Sequence, residues 1–135
     1  MDKKFQVSIL TPYGKYLITE ADFLSVLTGS GVVGILPNHA PLITTVEISK
    51  LVITNGNDKK EYAVSGGLLH IKKGTEVVLM LKSIERSDEI DIERARRAQE
   101  RANNRLNNVS PDIDVLRAKA ALARALNRIS ISENK

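Results

Sequence analysis

The sequence predicts an antiparallel β-sandwich over residues 1–86, followed by an antiparallel hairpin of two α-helices over residues 87–135. Three observations carry this reading. Short segments of alternating apolar and polar residues recur between Gly, Pro and Asn breaks, at about 8–12 residue intervals, with no helical period between them. Beyond Ser87 the apolar positions change to spacings of three and four. Asn107-Asn108-Val109-Ser110-Pro111 then interrupts the helical pattern for only a few residues, which turns the second helix back along the first.

Phe5-Gln6-Val7-Ser8-Ile9-Leu10-Thr11 has the period of a half-buried strand, and Pro12-Tyr13-Gly14 turns the chain. Residues 16–18 and 23–27 read as further short strands, broken at Gly29-Ser30-Gly31. After a loop over residues 31–42, residues 46–53 give another strand, and Asn55-Gly56-Asn57-Asp58 marks a hairpin because Asn and Gly tolerate positive φ. The return strand spans residues 61–65, bends at Gly66-Gly67 and continues over 68–71. Residues 75–81 close the set after Lys73-Gly74.

Ser87 or Asp88 suits the cap of the first helix, and Asp88, Glu89 and Asp91 put negative charge where the helix dipole favours it. Ile92, Ala95, Ala98, Ala102 and Leu106 make one stripe. Ser110 and Pro111 are expected to open the second helix, with Ile113, Leu116, Ala120 and Ala123 on one stripe and Val115, Leu122, Leu126 and Ile129 on another. Stripes so rich in alanine bury little apolar surface, about 0.8 kcal/mol per carbon. Such a hairpin is either mobile or an ordinary appendage docked permanently on the sandwich.

Charge is spread evenly, with +2 over residues 1–87 and +2 over residues 88–135, so neither half is a basic tail. The type of base changes instead, from nine Lys and one Arg to eight Arg and two Lys. Arginine offers a planar fork to carboxylates and phosphates, although it also suits any exposed helix. The absence of cysteine excludes disulfides and thiolate metal sites, and two histidines are too few for most other metal sites. No apolar run approaches the roughly 18 residues of a membrane-spanning helix, and the first residues lack a signal-peptide core, so a cytosolic protein is expected.

Catalysis is not expected. There is no Gly-x-x-x-x-Gly-Lys-Ser/Thr loop, no acidic neighbour in sequence to orient His39, and no helix after Gly66-Gly67 to make a phosphate loop. A β-barrel that binds nucleic acid is the alternative from another class, but two Phe and three Tyr offer it few stacking platforms. A small nucleotide-hydrolysing enzyme is a further alternative.

With a hairpin centred near Val109, Arg94 is level with Arg124, and Asp91 is near Asn127 and Arg128. Arg94, Arg101, Arg124 and Arg128 therefore converge on one side, as a polyanion such as a triphosphate would require, with Asp91 able to accept from an exocyclic amine. Surface ion pairs among Glu93, Arg97, Glu100 and Arg101 are the plainer account of these charges.

The stretch Gly31-Val32-Val33-Gly34-Ile35-Leu36-Pro37-Asn38-His39-Ala40-Pro41-Leu42 resembles the signature of the bacterial ATP synthase epsilon subunits. Residues 10–14 (Leu-Thr-Pro-Tyr-Gly), 63–67 (Ala-Val-Ser-Gly-Gly) and 90–95 (Ile-Asp-x-x-Arg-Ala) resemble the same family in the same order. The resemblance implies a non-catalytic subunit of the central stalk that needs no cofactor and couples rotation to ATP synthesis. Its sandwich would bind the gamma subunit and the c-ring, with Gly31, Pro37, Asn38, His39, Ala40 and Pro41 as rotor contacts. Its hairpin would transiently extend into the catalytic head of alpha and beta subunits and inhibit hydrolysis. ATP, as a regulatory ligand, would meet Glu85, Ile90, Asp91, Arg94, Ala95, Arg101, Arg124 and Arg128. No nucleic-acid partner is implied. The location would be peripheral, on the cytoplasmic face of the bacterial cell membrane, with membrane association only through the complex. Ser49-Lys50 departs from a position where the family commonly has glycine. The charges Lys119, Arg124 and Arg128 are fewer than in some relatives, which leaves the strength of inhibition open.

Overall fold

Phe5, Val7 and Ile9 alternate with more polar neighbours, and all three side chains are buried on one side of the first strand, β1 (Phe5–Thr11). The computed structural model describes residues 3–73, 75–108 and 114–133. Among these, β1 is followed by β2 (Gly14–Ala21), β3 (Phe23–Thr28), β4 (Gly31–Ile35), β5 (Leu42–Asn55), β6 (Asp58–Lys72), β7 (Glu76–Leu81) and β8 (Ile84–Arg86). They hydrogen-bond in the order β2-β1-β7-β6-β5-β3-β4, with β8 on the first half of β6. β1 and β7 run parallel, and the remaining pairs are antiparallel.

Two long strands turn this sheet into a sandwich. Along β5 the buried positions change parity, from Val46 to Ser49, Leu51 and Ile53; along β6 they change from Tyr62 and Val64 to Leu69 and Ile71. Successive side chains on a strand face opposite ways, so a change of parity marks the place where the strand passes from one layer to the other. Gly66 (φ 110°) and Gly67 (φ 152°) stand at that crossing in β6. There β6 exchanges neighbours: Gly67 pairs with Leu81 of β7, and Val64 with Ile84 of β8.

The stretch 31–42, expected as loop throughout, is strand at both ends. β4 forms the sheet edge beside β3, and β5 begins at Leu42 rather than Val46. Gly34 is tolerated in β4 because the Phe23 ring lies over it: a Cβ there would stand 3.1 Å from Phe23 Cε1. Between the strands, Asn38 adopts φ 67°, His39 N donates to the Leu36 carbonyl at 3.2 Å, and His39 Nδ1 donates to the Ala40 carbonyl at 2.8 Å.

Asp22, between β2 and β3, accepts from Gly56 N at 2.7 Å and pairs with Lys4 Nζ at 3.6 Å; Lys4 also donates to Asn55. This clasp joins the start of β1 to the β5–β6 turn. Asp22→Ala should cost about 1–2 kcal/mol, because it leaves the Gly56 amide without its carboxylate. Urea unfolding checks this as a lowered midpoint with an unchanged slope.

The chain divides into two compact units, residues 1–86 and 87–135. In the second, Ser87–Glu89 form a single 3-10 turn, so neither Ser87 nor Asp88 is the helix cap. Asp91 takes that place: its Oδ1 accepts from Arg94 N at 3.1 Å at the start of α1 (Ile92–Asn107). Ser110 and Pro111, expected to open the second helix, lie outside the described residues, as do Val109 and Ile113. The second helix, α2 (Val115–Glu133), is preceded by Asp114, whose Oδ1 accepts from Arg117 N at 3.1 Å.

The inward stripe of α1 contains Ala95 and Ala102 as expected, but that of α2 is different. Ala118, Ala125 and Ile131 are buried, whereas Leu116 is 79% exposed and Ala123 is exposed. The helices pack along their length. An antiparallel register with Ala95 level with Ala125, and Ala102 level with Ala118, accounts for the burial of all four.

Candidate functional site

The alanine register determines which side chains share a flank of the hairpin. Arg94 and Arg101 each precede a buried alanine of α1, and Arg124 precedes Ala125 of α2. At 3.6 residues per turn, "one before" lies about 100° back around the axis. Because the helices are antiparallel, that step leads to the same flank of the pair from either helix. Arg128, three after Ala125, and Asp91, four before Ala95, fall on this flank too. Four of the expected arginines and the expected carboxylate are thus brought to one side. Arg94 and Arg101 are exposed, and Arg124 and Arg128 are half-buried.

The other expected ligand residues have different positions. Ile90 and Ala95 are buried. Glu85 stands on β8 opposite Ala63, in the strand unit. Asp91 spends Oδ1 on its cap, leaving Oδ2 for an incoming donor. Among the described residues, Arg94, Arg101 and Arg124 form no ion pair; of the surface pairs, Glu93 binds Arg96 at 3.5 Å.

Two residues on this flank were missed from sequence. Arg105 lies three after Ala102 and Arg117 one before Ala118, so both fall on the same flank, at the end of α1 and the start of α2 and away from Asp91 and Arg94, and both are exposed. The available signal was a repeated pattern of Asp, Arg and Ala in the two helices.

In the strand unit, Gly31 opens β4 (φ 108°) and pairs with Thr28, while Pro37, Asn38, His39, Ala40 and Pro41 form the connection to β5. Beside them two apolar side chains that the sequence reading did not single out are exposed: Val32 (73%) and Leu36 (60%). A further apolar face lies on the outer side of β5, β6, β7 and β1. Strand pairing sets Ile43, His70, Val78 and Ser8 in one row, and Thr45, Leu68, Met80 and Leu10 in the next. Ile43, Leu68 and Met80 are exposed there. The signal for it was apolar residues at positions of both parities in these strands.

Among the described residues no group of three or more His, Asp and Glu is placed to hold a metal, and no helix is long and apolar enough to cross a membrane.

Comparison with known proteins places both units. Residues 4–87 match the model of the ATP synthase delta/epsilon chain β-sandwich domain, and residues 88–133 match that of its long α-helix domain. An ATP synthase epsilon chain of Carboxydothermus hydrogenoformans is 45% identical over 111 residues, 82% of each chain. One from Levilactobacillus brevis is 43% identical over 96 residues, 71% of this chain and 68% of that one. In fold, the chain is similar to one in the Euglena gracilis mitochondrial ATP synthase assembly of OSCP, F1 and c-ring. The TM-score is 0.78 at 20% identity, covering 98% of this chain and 82% of that one.

Proposed function

Because the chain belongs to the ATP synthase delta/epsilon family, as an epsilon subunit of the central stalk, we propose that its sandwich transmits rotation and its hairpin senses ATP. The sandwich docks the gamma subunit and the c-ring. Its exposed apolar side chains Ile43, Leu68 and Met80, and Val32 and Leu36 beside the loop 37–41, suit such contacts, since apolar surface left exposed on a small domain marks a place for a partner. These partners hold the subunit at the cytoplasmic face of the bacterial membrane. The subunit is itself non-catalytic and requires no cofactor.

The hairpin binds ATP on its arginine flank in the compact state, and in an extended state it reaches the catalytic head and inhibits hydrolysis. The observation that carries this is the placing of Asp91, Arg94, Arg124 and Arg128 on one flank by the buried alanines. Guanidiniums clamp phosphate oxygens in pairs, and the free Asp91 oxygen accepts from the adenine amine, which guanine does not present at that edge. ATP at a hundredfold excess over its dissociation constant adds about 2.7 kcal/mol to the compact state, enough to bias a hairpin held by alanines.

Calorimetric titration of ATP into the full chain tests this. Saturable binding that prefers ATP to GTP is expected. In Arg124→Ala, Arg128→Ala the affinity should fall about a hundredfold or more, since two charge-assisted contacts of about 1.5–3 kcal/mol each are removed. Absence of saturation at millimolar ATP would overturn the ATP-sensing reading. The membership in the stalk would then stand on the family alone.

A further inference from the structure

The two helices of the hairpin are copies of one another. Residues 90–105 and 113–128 align at a fixed offset of 23 and are identical at nine of sixteen positions: Ile, Asp, Arg, Ala, Ala, Arg, Ala, Asn and Arg. The repeat is structural as well. Asp91 and Asp114 each accept from the backbone N of the arginine three residues on, at 3.1 Å in both cases. Their carbonyls accept from Ala95 N and Ala118 N, both at 3.0 Å. Ala95 and Ala102 are buried on one helix and Ala118 and Ala125 on the other, seven apart each time. Two like helices packed antiparallel through equivalent alanines are related by a local two-fold axis, which runs out through the arginine flank.

That axis has a chemical consequence. It carries Asp91, Arg94, Arg124 and Arg128 onto Asp114, Arg117, Arg101 and Arg105. We propose that this second set, near the turn of the hairpin, is a second anion site whose ligand is an oligophosphate chain. The chemistry rests on the reading that the first set holds the phosphates of a nucleotide. Arg101, Arg105 and Arg117 are all exposed. None of the three forms an ion pair among the described residues, so their forks are open to phosphate oxygens. Ala98 and Ala121 stand between the two sets, about a turn of helix along each arm of the hairpin, so Arg101, which the family resemblance gives to ATP, belongs by position to the second set. The two sets share their arginines and a capping aspartate, and it is the arginines that select phosphate.

The test uses inorganic tripolyphosphate and ATP, each titrated into the full chain by calorimetry, with helix content followed by circular dichroism. Wild type should take two tripolyphosphates per chain. Arg105→Gln, Arg117→Gln should take one, with ATP affinity held within about threefold, because these exposed positions lie away from the first set. Arg94→Gln, Arg128→Gln should also take one tripolyphosphate but lose ATP. Restoration of the second tripolyphosphate in Arg105→Lys, Arg117→Lys would show that positive charge at these positions, and not a change in folding, supplies the site. A wild-type stoichiometry of one that Arg105→Gln, Arg117→Gln leaves untouched would overturn the proposal. So would joint loss of ATP and all tripolyphosphate in that variant, which would mean one extended site. If ATP fails to bind wild type while the Arg105→Gln, Arg117→Gln variant still loses one tripolyphosphate, the nucleotide reading fails and the second site stands.

Discussion

Replacing Gly67 by alanine is expected to destabilise the strand domain strongly. Gly67 lies where β6 crosses between the layers, at φ 152°, and the backbone of β7 runs directly against it. A Cβ at this position would overlap the carbonyl oxygen of Met80 and come within 2.9 Å of Leu81 Cα. These are backbone atoms in the middle of the sheet, so no side-chain rotation relieves the collision. Either β7 moves away, breaking its pairing with β6 and with β1, or the crossing changes shape and the two layers no longer enclose the core. The expected loss is about 3–5 kcal/mol, a large share of the roughly 5–15 kcal/mol of a small domain. Gly56→Ala is the comparison: Gly56 has φ 63° but no neighbour within 4 Å of its missing Cβ, so only about 1 kcal/mol of backbone strain is expected. Urea unfolding of the two variants side by side checks the difference. Equal midpoints would show that the crossing yields easily and that the close approach of β7 does not matter to stability.

The sandwich was largely legible because period-two alternation and turn chemistry are local signals. Phe5, Val7 and Ile9 announce a one-sided strand, and Asn55-Gly56-Asn57-Asp58 places the hairpin at the residues where it forms. β4 escaped because its evidence is not local: Gly34 weakens any strand by propensity, and only the Phe23 ring across the sheet edge makes glycine fit there. The inward face of α2 escaped for a related reason. Hydrophobicity ranks Leu116 above Ala118, yet Leu116 is exposed and Ala118 buried, because helices that approach closely have room only for a methyl. Size, not polarity, decides which apolar stripe faces the partner. The same error hid Arg105 and Arg117, since their flank can be assigned only once the buried alanines are known.

Ala125→Leu is expected to open the hairpin while leaving the sandwich folded. Ala125 is fully buried in α2 and stands level with Ala95. Leucine adds three carbons where the helices meet, and overpacking costs about 1–3 kcal/mol. Four buried alanines return only about 3 kcal/mol in all, at about 0.8 kcal/mol for each methyl. The insertion therefore rivals what those alanines contribute at the line where the helices meet. In amide NMR spectra the resonances of α1 and α2 should collapse toward coil values, while those of β1–β8, with their own core, should stay in place. Ala123→Leu adds the same side chain at an exposed position of the same helix and should change neither set. The ligand responds to the same geometry: ATP affinity should fall at least about tenfold in Ala125→Leu, although position 125 touches no phosphate, because the arginines converge only while the alanine register holds. An Ala125→Leu protein with intact helices and unchanged ATP affinity would mean that the flank is set by something other than those alanines, and the two-fold relation between its anion sites would lose its structural basis.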